Sequence, residues 1–96
     1  MKIRNFVHKG LKRFYEEDSA KGIPASSEDK LRKMLAFLDG IDDTEELPAF
    51  RAWKAHRLAE DRKGTWGLSV TGNPRLTFRI DAAELEIREV NLEEYH

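Results

Sequence analysis

The sequence predicts an α+β fold, in which two N-terminal helices pack on a twisted antiparallel sheet of about four strands. Two observations support this prediction. Apolar residues recur at helical spacing as far as residue 41, and they alternate with polar residues from about residue 53 onward. We see no internal repeat and no linker-like segment in the 96 residues, so we expect one domain spanning residues 1–96.

A short strand over residues 2–7 should come first, and two apolar stripes then define the helices. The break between the helices is Gly22-Ile23-Pro24, after which Ser26 and Asp29 have the spacing of a capping box. The second helix should end near Gly40. The first stripe comprises Val7, Leu11, Phe14 and Tyr15, and the second comprises Leu31, Met34, Leu35, Leu38 and Ile41.

Four segments in the second half, 53–58, 65–70, 75–80 and 84–90, are predicted strands. A turn signal, Thr71-Gly72-Asn73-Pro74, joins two of them, and Leu85 and Ile87 should point inward from the last. Strand pleating places alternate residues on opposite faces of a sheet. If Leu76, Phe78 and Ile80 face the helices, the opposite face carries Arg75, Thr77 and Arg79.

Composition excludes several classes of protein. The chain has no cysteine, which excludes disulfides and thiolate zinc sites, and it has no apolar run long enough to span a membrane. We therefore expect a cytoplasmic protein without membrane contacts. The net charge is -1, but residues 51–80 carry seven Lys and Arg against two acids, and residues 81–96 carry one Arg against six acids. A basic middle segment of this kind can bind a polyanion locally.

Ordered motifs along the chain resemble a known family. They are a histidine in a predicted strand, Lys54-Ala55-His56-Arg57-Leu58; a basic segment, Asp61-Arg62-Lys63-Gly64-x-Trp66; the motif Gly72-Asn73-x-Arg75-Leu76-Thr77-Phe78-Arg79; and the terminal Glu94-Tyr95-His96. In this order they are similar to the HigB branch of the RelE/ParE toxin superfamily, also called plasmid maintenance killer proteins. The likeness spans nearly the whole chain.

The resemblance implies a toxin of a type II toxin–antitoxin system with a RelE/ParE-like fold. Such a toxin is an endoribonuclease that cleaves messenger RNA on the translating ribosome. The implied partner is a HigA-like helix-turn-helix antitoxin, and operator DNA would be bound only through that antitoxin. No cofactor is implied.

The resemblance also assigns roles to residues. The expected catalytic residues are His56, Arg75, Glu94, Tyr95 and His96. The expected RNA- and phosphate-binding residues are Arg57, Arg62, Lys63, Asn73 and Arg79. Three positions depart from the family pattern: Glu94 replaces the usual aspartate, Pro74 replaces a tryptophan, and Ala59 replaces a lysine.

These residue types fit metal-independent RNA cleavage. The reaction needs a base for the 2′-hydroxyl, an acid for the leaving 5′-oxygen and cations around the charged phosphorane. Histidines suit the first two roles because their pKa lies near neutral pH, and arginines suit the third. The sequence does not say which of His56 and His96 is the acid. His8 should cap or pair locally and has no expected role in the site.

Two other functions remain open from the sequence. One is a non-catalytic ParE-like toxin that inhibits DNA gyrase, and the other is an inactive relative that serves as an antitoxin-binding adaptor. Paired proton-transferring residues, His56 with Tyr95 and His96, favour the nuclease over a pure binder.

Overall fold

The computed structural model describes residues 1–43, 46, 56–57, 64–70 and 74–94, and only the backbone of residues 56, 57 and 94. Within these ranges the chain forms two α-helices and five β-strands, so the predicted α+β class is confirmed. The helices are α1 (Lys9–Glu17) and α2 (Glu28–Gly40). The strands are β1 (Lys2–Ile3), β2 (His56–Arg57), β3 (Thr65–Ser69), β4 (Pro74–Asp81) and β5 (Glu86–Glu94).

Helix α1 begins where His8 caps it. The His8 Nδ1 accepts a hydrogen bond of 2.9 Å from the Leu11 backbone N–H, which satisfies one of the donors left open at a helix N-terminus. The expected local role of His8 is therefore confirmed. Leu11 and Phe14 are buried as predicted, but Val7 precedes the helix and is 57% exposed, so its place in the stripe was wrong.

Loss of this cap should destabilise the protein measurably. We expect His8→Ala to lower the free energy of unfolding by about 1 kcal/mol, because the Leu11 N–H loses its acceptor. His8→Asn supplies another capping side chain and should recover most of that loss. Urea unfolding followed by circular dichroism measures both variants, and equal losses in the two would contradict the capping role.

Helix α2 begins differently from the prediction. A 3₁₀ turn, Ala25–Ser27, leads directly into it, and Ser27 occupies the N-cap position. The expected capping box of Ser26 and Asp29 was therefore wrong, because the extra turn moves the helix start one residue onward. Glu28 still lies in the first turn, where the helix dipole favours a carboxylate.

The C-terminal end of α2 is capped by the amino terminus of the chain. The Met1 α-amino group donates hydrogen bonds to the carbonyls of Leu38 (3.1 Å), Asp39 (2.9 Å) and Ile41. These carbonyls lie in the last turn of the helix or just beyond it, where intrahelical donors run out. A positive charge here also complements the helix dipole. Met1 is itself buried, at 9% exposure.

The sheet is mixed, with strand order β1-β5-β4-β3-β2. Strands β2 to β5 form the antiparallel meander that alternation predicted. Strand β1 pairs in parallel with β5, through Lys2 opposite Glu86 and Ile3 opposite Ile87, so the prediction of a wholly antiparallel sheet was wrong. This pairing joins segments more than eighty residues apart, and no local sequence signal marks it.

A β-bulge interrupts the pairing of β4 with β5 between Thr77 and Arg79. On β5 it coincides with Glu89, whose φ of 54° is unusual for a residue other than glycine. The Asn5 Oδ1 accepts a hydrogen bond of 2.6 Å from the Glu89 N–H. A bulge shifts the alternation of a strand by one residue. Ile87 and Val90 are therefore both buried although they lie three residues apart.

Both helices and the sheet contribute to one buried apolar cluster. Its largest fully buried side chain is Phe78, from the centre of β4. Leu85, which the alternation placed inside, lies in the β4–β5 turn with a φ of 54° and is 59% exposed, so that prediction was wrong. Among the helices of the described residues, none is long and apolar enough to cross a membrane. The cluster also contains Leu11, Phe14, Leu31, Met34, Leu35, Leu38, Leu68, Val70, Leu76, Ile87 and Val90.

Candidate active site

The candidate site lies on the face of β3, β4 and β5 opposite the apolar cluster, here called the outer face. Cross-strand partners share a face, so the register identifies its rows. One row pairs Ser69, Arg75 and Glu93, and the next pairs Gly67, Thr77 and Asn91. The burial of Leu76 and Phe78 confirms that Arg75, Thr77 and Arg79 alternate to the other side.

Arg75 is the expected catalytic residue whose side chain the structure describes. It is half-buried in β4, and its Nη1 donates a hydrogen bond of 3.2 Å to the Pro74 carbonyl. Glu93 of β5 lies directly opposite it. Side chains paired in this way have Cβ atoms about 5 Å apart. A guanidinium at this position stays charged and has the planar geometry that phosphate recognition requires.

Thr77 and Glu93 form a polar pair beside Arg75. The Thr77 hydroxyl donates a hydrogen bond to the Glu93 Oε2 across the two strands. Thr77 is 1% exposed and Glu93 is half-buried, so this bond is partly shielded from water. A carboxylate acceptor makes such a bond stronger than one between neutral groups. The pair fixes one oxygen of the Glu93 carboxylate on the outer face.

His56 of β2 lies in the same row as Thr77. Its backbone pairs with Gly67, and Gly67 in turn pairs with Thr77. Two inter-strand spacings separate the positions of His56 and Thr77, a distance of about 10 Å. Glycine contributes no side chain to the row between them, and glycine within a strand is often found where another group approaches the backbone closely.

Arg79 is exposed at the next row, opposite Arg88 and Thr65. Its Nε lies 3.5 Å from the Glu89 carboxylate. Together with residues of the β4–β5 turn, Arg79 and Arg88 line a groove of about 460 Å³. A Cβ on Gly64, which has a φ of 81°, would lie 3.6 Å from the Arg79 Nη2.

Acidic residues of β5 and at the end of β4 neutralise much of this basic face. Arg88 Nη2 lies 3.1 Å from Glu86 and 3.3 Å from Asp81, and the Glu86 hydrogen bond is the main cause that raises the pKa of Arg88. Glu89 similarly faces Arg79. Arg79 of the basic middle segment is thus paired with an acidic residue of the terminal segment, and the outer face is less basic than alternation along β4 alone suggests.

Several expected site residues lie outside this description. Glu94 is the last residue of β5 and pairs with Pro74 through its backbone. For His56 and Arg57 the structure gives the strand and its register only. The remaining expected residues, Arg62, Lys63, Asn73, Tyr95 and His96, lie outside the described residues.

Sequence reasoning missed Glu93 and Arg88. The predicted last strand ended at residue 90, whereas β5 continues to Glu94 and carries Glu93 next to the site. An alternating pattern does continue through Val90 and Leu92, and it could have revealed the longer strand. Because the bulge at Glu89 shifts the alternation by one residue, a count of alternate residues that starts from Ile87 misses Val90 and Leu92.

A second groove, of about 320 Å³, lies between α1 and α2. Phe14, Leu35 and Ala36 contribute apolar lining, and the Tyr15 hydroxyl donates a hydrogen bond of 2.9 Å to Asp39 at its rim. Burial, followed by the hydrogen bond to the Asp39 carboxylate, raises the pKa of Tyr15 to about 12. None of the expected site residues that the structure describes lines this groove.

The raised pKa of Tyr15 predicts a loss of stability at high pH. A tyrosine that binds its proton more tightly in the folded state contributes fully below its unfolded pKa of about 10, and that contribution is lost as the pH rises towards 12. Urea unfolding between pH 9 and pH 12 measures this loss. Tyr15→Phe should reduce it, whereas Tyr95→Phe, which changes the other tyrosine of the chain, should leave it unchanged. The opposite pattern would assign the titration to Tyr95.

Comparison with known proteins relates this geometry to a family. Residues 4–95 match the HigB-like toxins, described as RelE-like toxins of type II toxin–antitoxin system HigB. The chain is 35% identical over 94 residues to a Proteus vulgaris protein named Endoribonuclease HigB, covering 98% of this chain and 99% of that protein.

The fold resembles that of the YoeB/ParE toxin from Agrobacterium tumefaciens. The two chains superpose with a TM-score of 0.65 over their full lengths at 14% identity, a likeness of fold alone. The family match spans α1 to β5 and includes the outer-face arginines. The chain therefore belongs to the HigB-like family of RelE-like toxins from type II toxin–antitoxin systems.

Proposed function

We propose that this toxin is an endoribonuclease that cleaves messenger RNA on the translating ribosome without a metal ion. The observation that carries the proposal is the outer face, where Arg75 lies one row from the strand position of His56. A cation and a proton-transferring residue at this separation can act on the two sides of one phosphodiester. The Proteus relative, named an endoribonuclease, supports the same activity.

The residues divide the chemical work between proton transfer and charge stabilisation. One of His56 and His96 removes the proton of the 2′-hydroxyl, and the other donates a proton to the leaving 5′-oxygen. Glu94 and Tyr95 support them at the chain end. Arg75 stabilises the negative charge that develops on the phosphorane. The contacts to neighbouring phosphates come from Arg57, Arg62, Lys63, Asn73 and Arg79.

The charge balance of the outer face supports dependence on the ribosome. Glu89 lies beside Arg79, and Glu93 lies opposite Arg75, so each arginine has an acidic neighbour. A surface with this balance attracts free RNA weakly, because non-specific affinity comes from uncompensated cations. The ribosome would instead hold the messenger in a fixed position, and this positioning would compensate for the weak binding of RNA by the toxin alone.

The proposal extends to the partner and the location of the toxin. A type II toxin has an antitoxin, and we propose a HigA-like helix-turn-helix protein that binds this chain and carries it to operator DNA. Residues 1–96 form one toxin domain, and the protein acts in the cytoplasm. Purification from the native host that returned only the free toxin would contradict the proposed complex.

Cleavage of messenger RNA on purified translating ribosomes tests the activity. Primer extension should show new 5′ ends that appear with the toxin and persist in EDTA, with Mg²⁺ buffered at a level that keeps the ribosomes intact. Free messenger should be cut far more slowly. Loss of cleavage when trace transition metals alone are chelated would contradict the metal-independent mechanism. Absence of cleavage together with inhibition of DNA gyrase would instead favour a ParE-like toxin.

A further inference from the structure

We infer that Glu93 is a positioning residue for Arg75, a role that rests on the function proposed above. Of the two consecutive carboxylates at the end of β5, Glu93 is the one whose backbone lies opposite Arg75, whereas Glu94 pairs with Pro74. The expected acidic residue of the site is Glu94 alone. The structure adds a second carboxylate, with a different task.

The first support is cross-strand geometry. Directly opposite residues of an antiparallel pair have Cβ atoms about 5 Å apart, and opposite charges on such a pair attract one another. Arg75 and Glu93 are both half-buried, which weakens screening by water compared with a fully exposed pair. The carboxylate is therefore well placed to orient the guanidinium on the outer face.

The second support is the anchor on Thr77. Its hydroxyl, almost fully buried, donates to the Glu93 Oε2. Thr77 lies two residues from Arg75 on the same strand face. A long acidic side chain on a strand face ordinarily samples several rotamers, and this bond restricts Glu93 to those that reach Thr77. Because the two charges attract one another, a fixed Glu93 carboxylate also restricts the orientation of the Arg75 guanidinium.

The third support is the bulge at Glu89. Counted from Ile87 without a bulge, odd-numbered residues of β5 would face the apolar cluster, and Glu93 would be among them. The bulge reverses this order, so that Glu93 reaches the outer face and Val90 is buried. The Asn5 side chain holds the bulge through the Glu89 N–H. The fold thus places Glu93 beside Arg75 by a specific structural feature.

Two matched pairs of variants test the inference on the full-length toxin with translating ribosomes. We expect Glu93→Gln, which keeps the shape but loses the charge, to lower kcat roughly 10- to 100-fold with little change in KM, because misplacement of a group by about 1 Å has effects of this size. Glu84→Gln makes the same change on the exposed β4–β5 turn and should cleave like wild type. Thr77→Val should reproduce the loss, whereas Thr77→Ser keeps the hydroxyl and should restore activity.

A double-mutant cycle with Arg75 distinguishes positioning from direct chemistry. If Glu93 acts through Arg75, Glu93→Gln causes no further loss in an Arg75→Ala background. Multiplicative losses, or a shift in the pH profile of kcat that survives Arg75→Ala, would overturn the inference by making Glu93 a proton-transferring group. Cleavage by Glu93→Gln at the wild-type rate would also overturn it. If wild type and Glu84→Gln both fail to cleave, the proposed function itself is wrong.

Discussion

Replacing Arg75 with alanine is expected to slow messenger RNA cleavage by roughly 10²–10³-fold, the usual effect of removing one group that stabilises transition-state charge. Arg75 lies near the start of β4 on the outer face, in the row next to that of His56. Arg75→Lys keeps the charge but loses the planar fork that matches phosphate, so its rate should fall between those of wild type and alanine. Cleavage on programmed ribosomes measures each rate, and growth arrest on induction reports the same order in cells.

The alanine variants of the three histidines are the comparison for Arg75→Ala. His56→Ala and His96→Ala should each cost roughly 10²–10⁴-fold, since each removes a group that transfers a proton. His8→Ala loses the helix cap but should cleave normally in protein that remains folded, because His8 binds the Leu11 N–H at the start of α1. Thermal melts must accompany the alanine variants of all four residues: Arg75, His56, His96 and His8. Equal loss of activity in the four would contradict the assignment of the site.

Replacing Phe78 with alanine should destabilise the protein more than any surface change. Phe78 is fully buried at the centre of β4, and truncation of a buried phenylalanine costs about 3–5 kcal/mol. Small domains are stable by only about 5–15 kcal/mol, so we expect a large fall in the urea midpoint and poor accumulation in cells. Urea unfolding followed by tryptophan fluorescence measures the change.

Leu85→Ala is the matched control for Phe78→Ala. Alternation along the sequence placed Leu85 inside, whereas the structure leaves it 59% exposed in the β4–β5 turn. Its truncation should change the free energy of unfolding by no more than about 0.5 kcal/mol. A loss comparable to that of Phe78→Ala would show that Leu85 packs in the core, as the sequence pattern suggested.

The parts of the fold that sequence predicted best are those set by local patterns. The stripes of α1 and α2, and the alternation of Leu76 and Phe78 in β4, depend on neighbours a few residues away. The exposed position of Arg79 followed directly from the same alternation. The RNA-cleavage chemistry was suggested by the types and order of the residues.

The parts that sequence could not predict depend on distant contacts. Asn5 holds the bulge at Glu89, and Ile3 pairs with Ile87, in both cases across more than eighty residues. Neither contact corresponds to a periodic pattern in the sequence. The bulge in turn decided which side of the sheet Glu93 occupies, so the Thr77–Glu93 pair could not be read from alternation. The ion pair between Glu89 and Arg79 was hidden for the same reason.

The Met1 cap of α2 has a practical consequence for handling this protein. A fusion partner on the amino terminus would convert the Met1 ammonium into an amide, which has one donor and no charge in place of three donors to Leu38, Asp39 and Ile41. A fusion at the other end would instead adjoin Tyr95 and His96, which the proposed mechanism uses. Neither terminus is therefore a neutral attachment point.

An internal label avoids both ends. The chain has no cysteine, so a single introduced thiol would be unique. Lys21 lies exposed in the turn between α1 and α2, away from the outer face and from the Met1 amine. A maleimide dye on Lys21→Cys would report antitoxin or ribosome binding by fluorescence anisotropy, with both chain ends left unmodified.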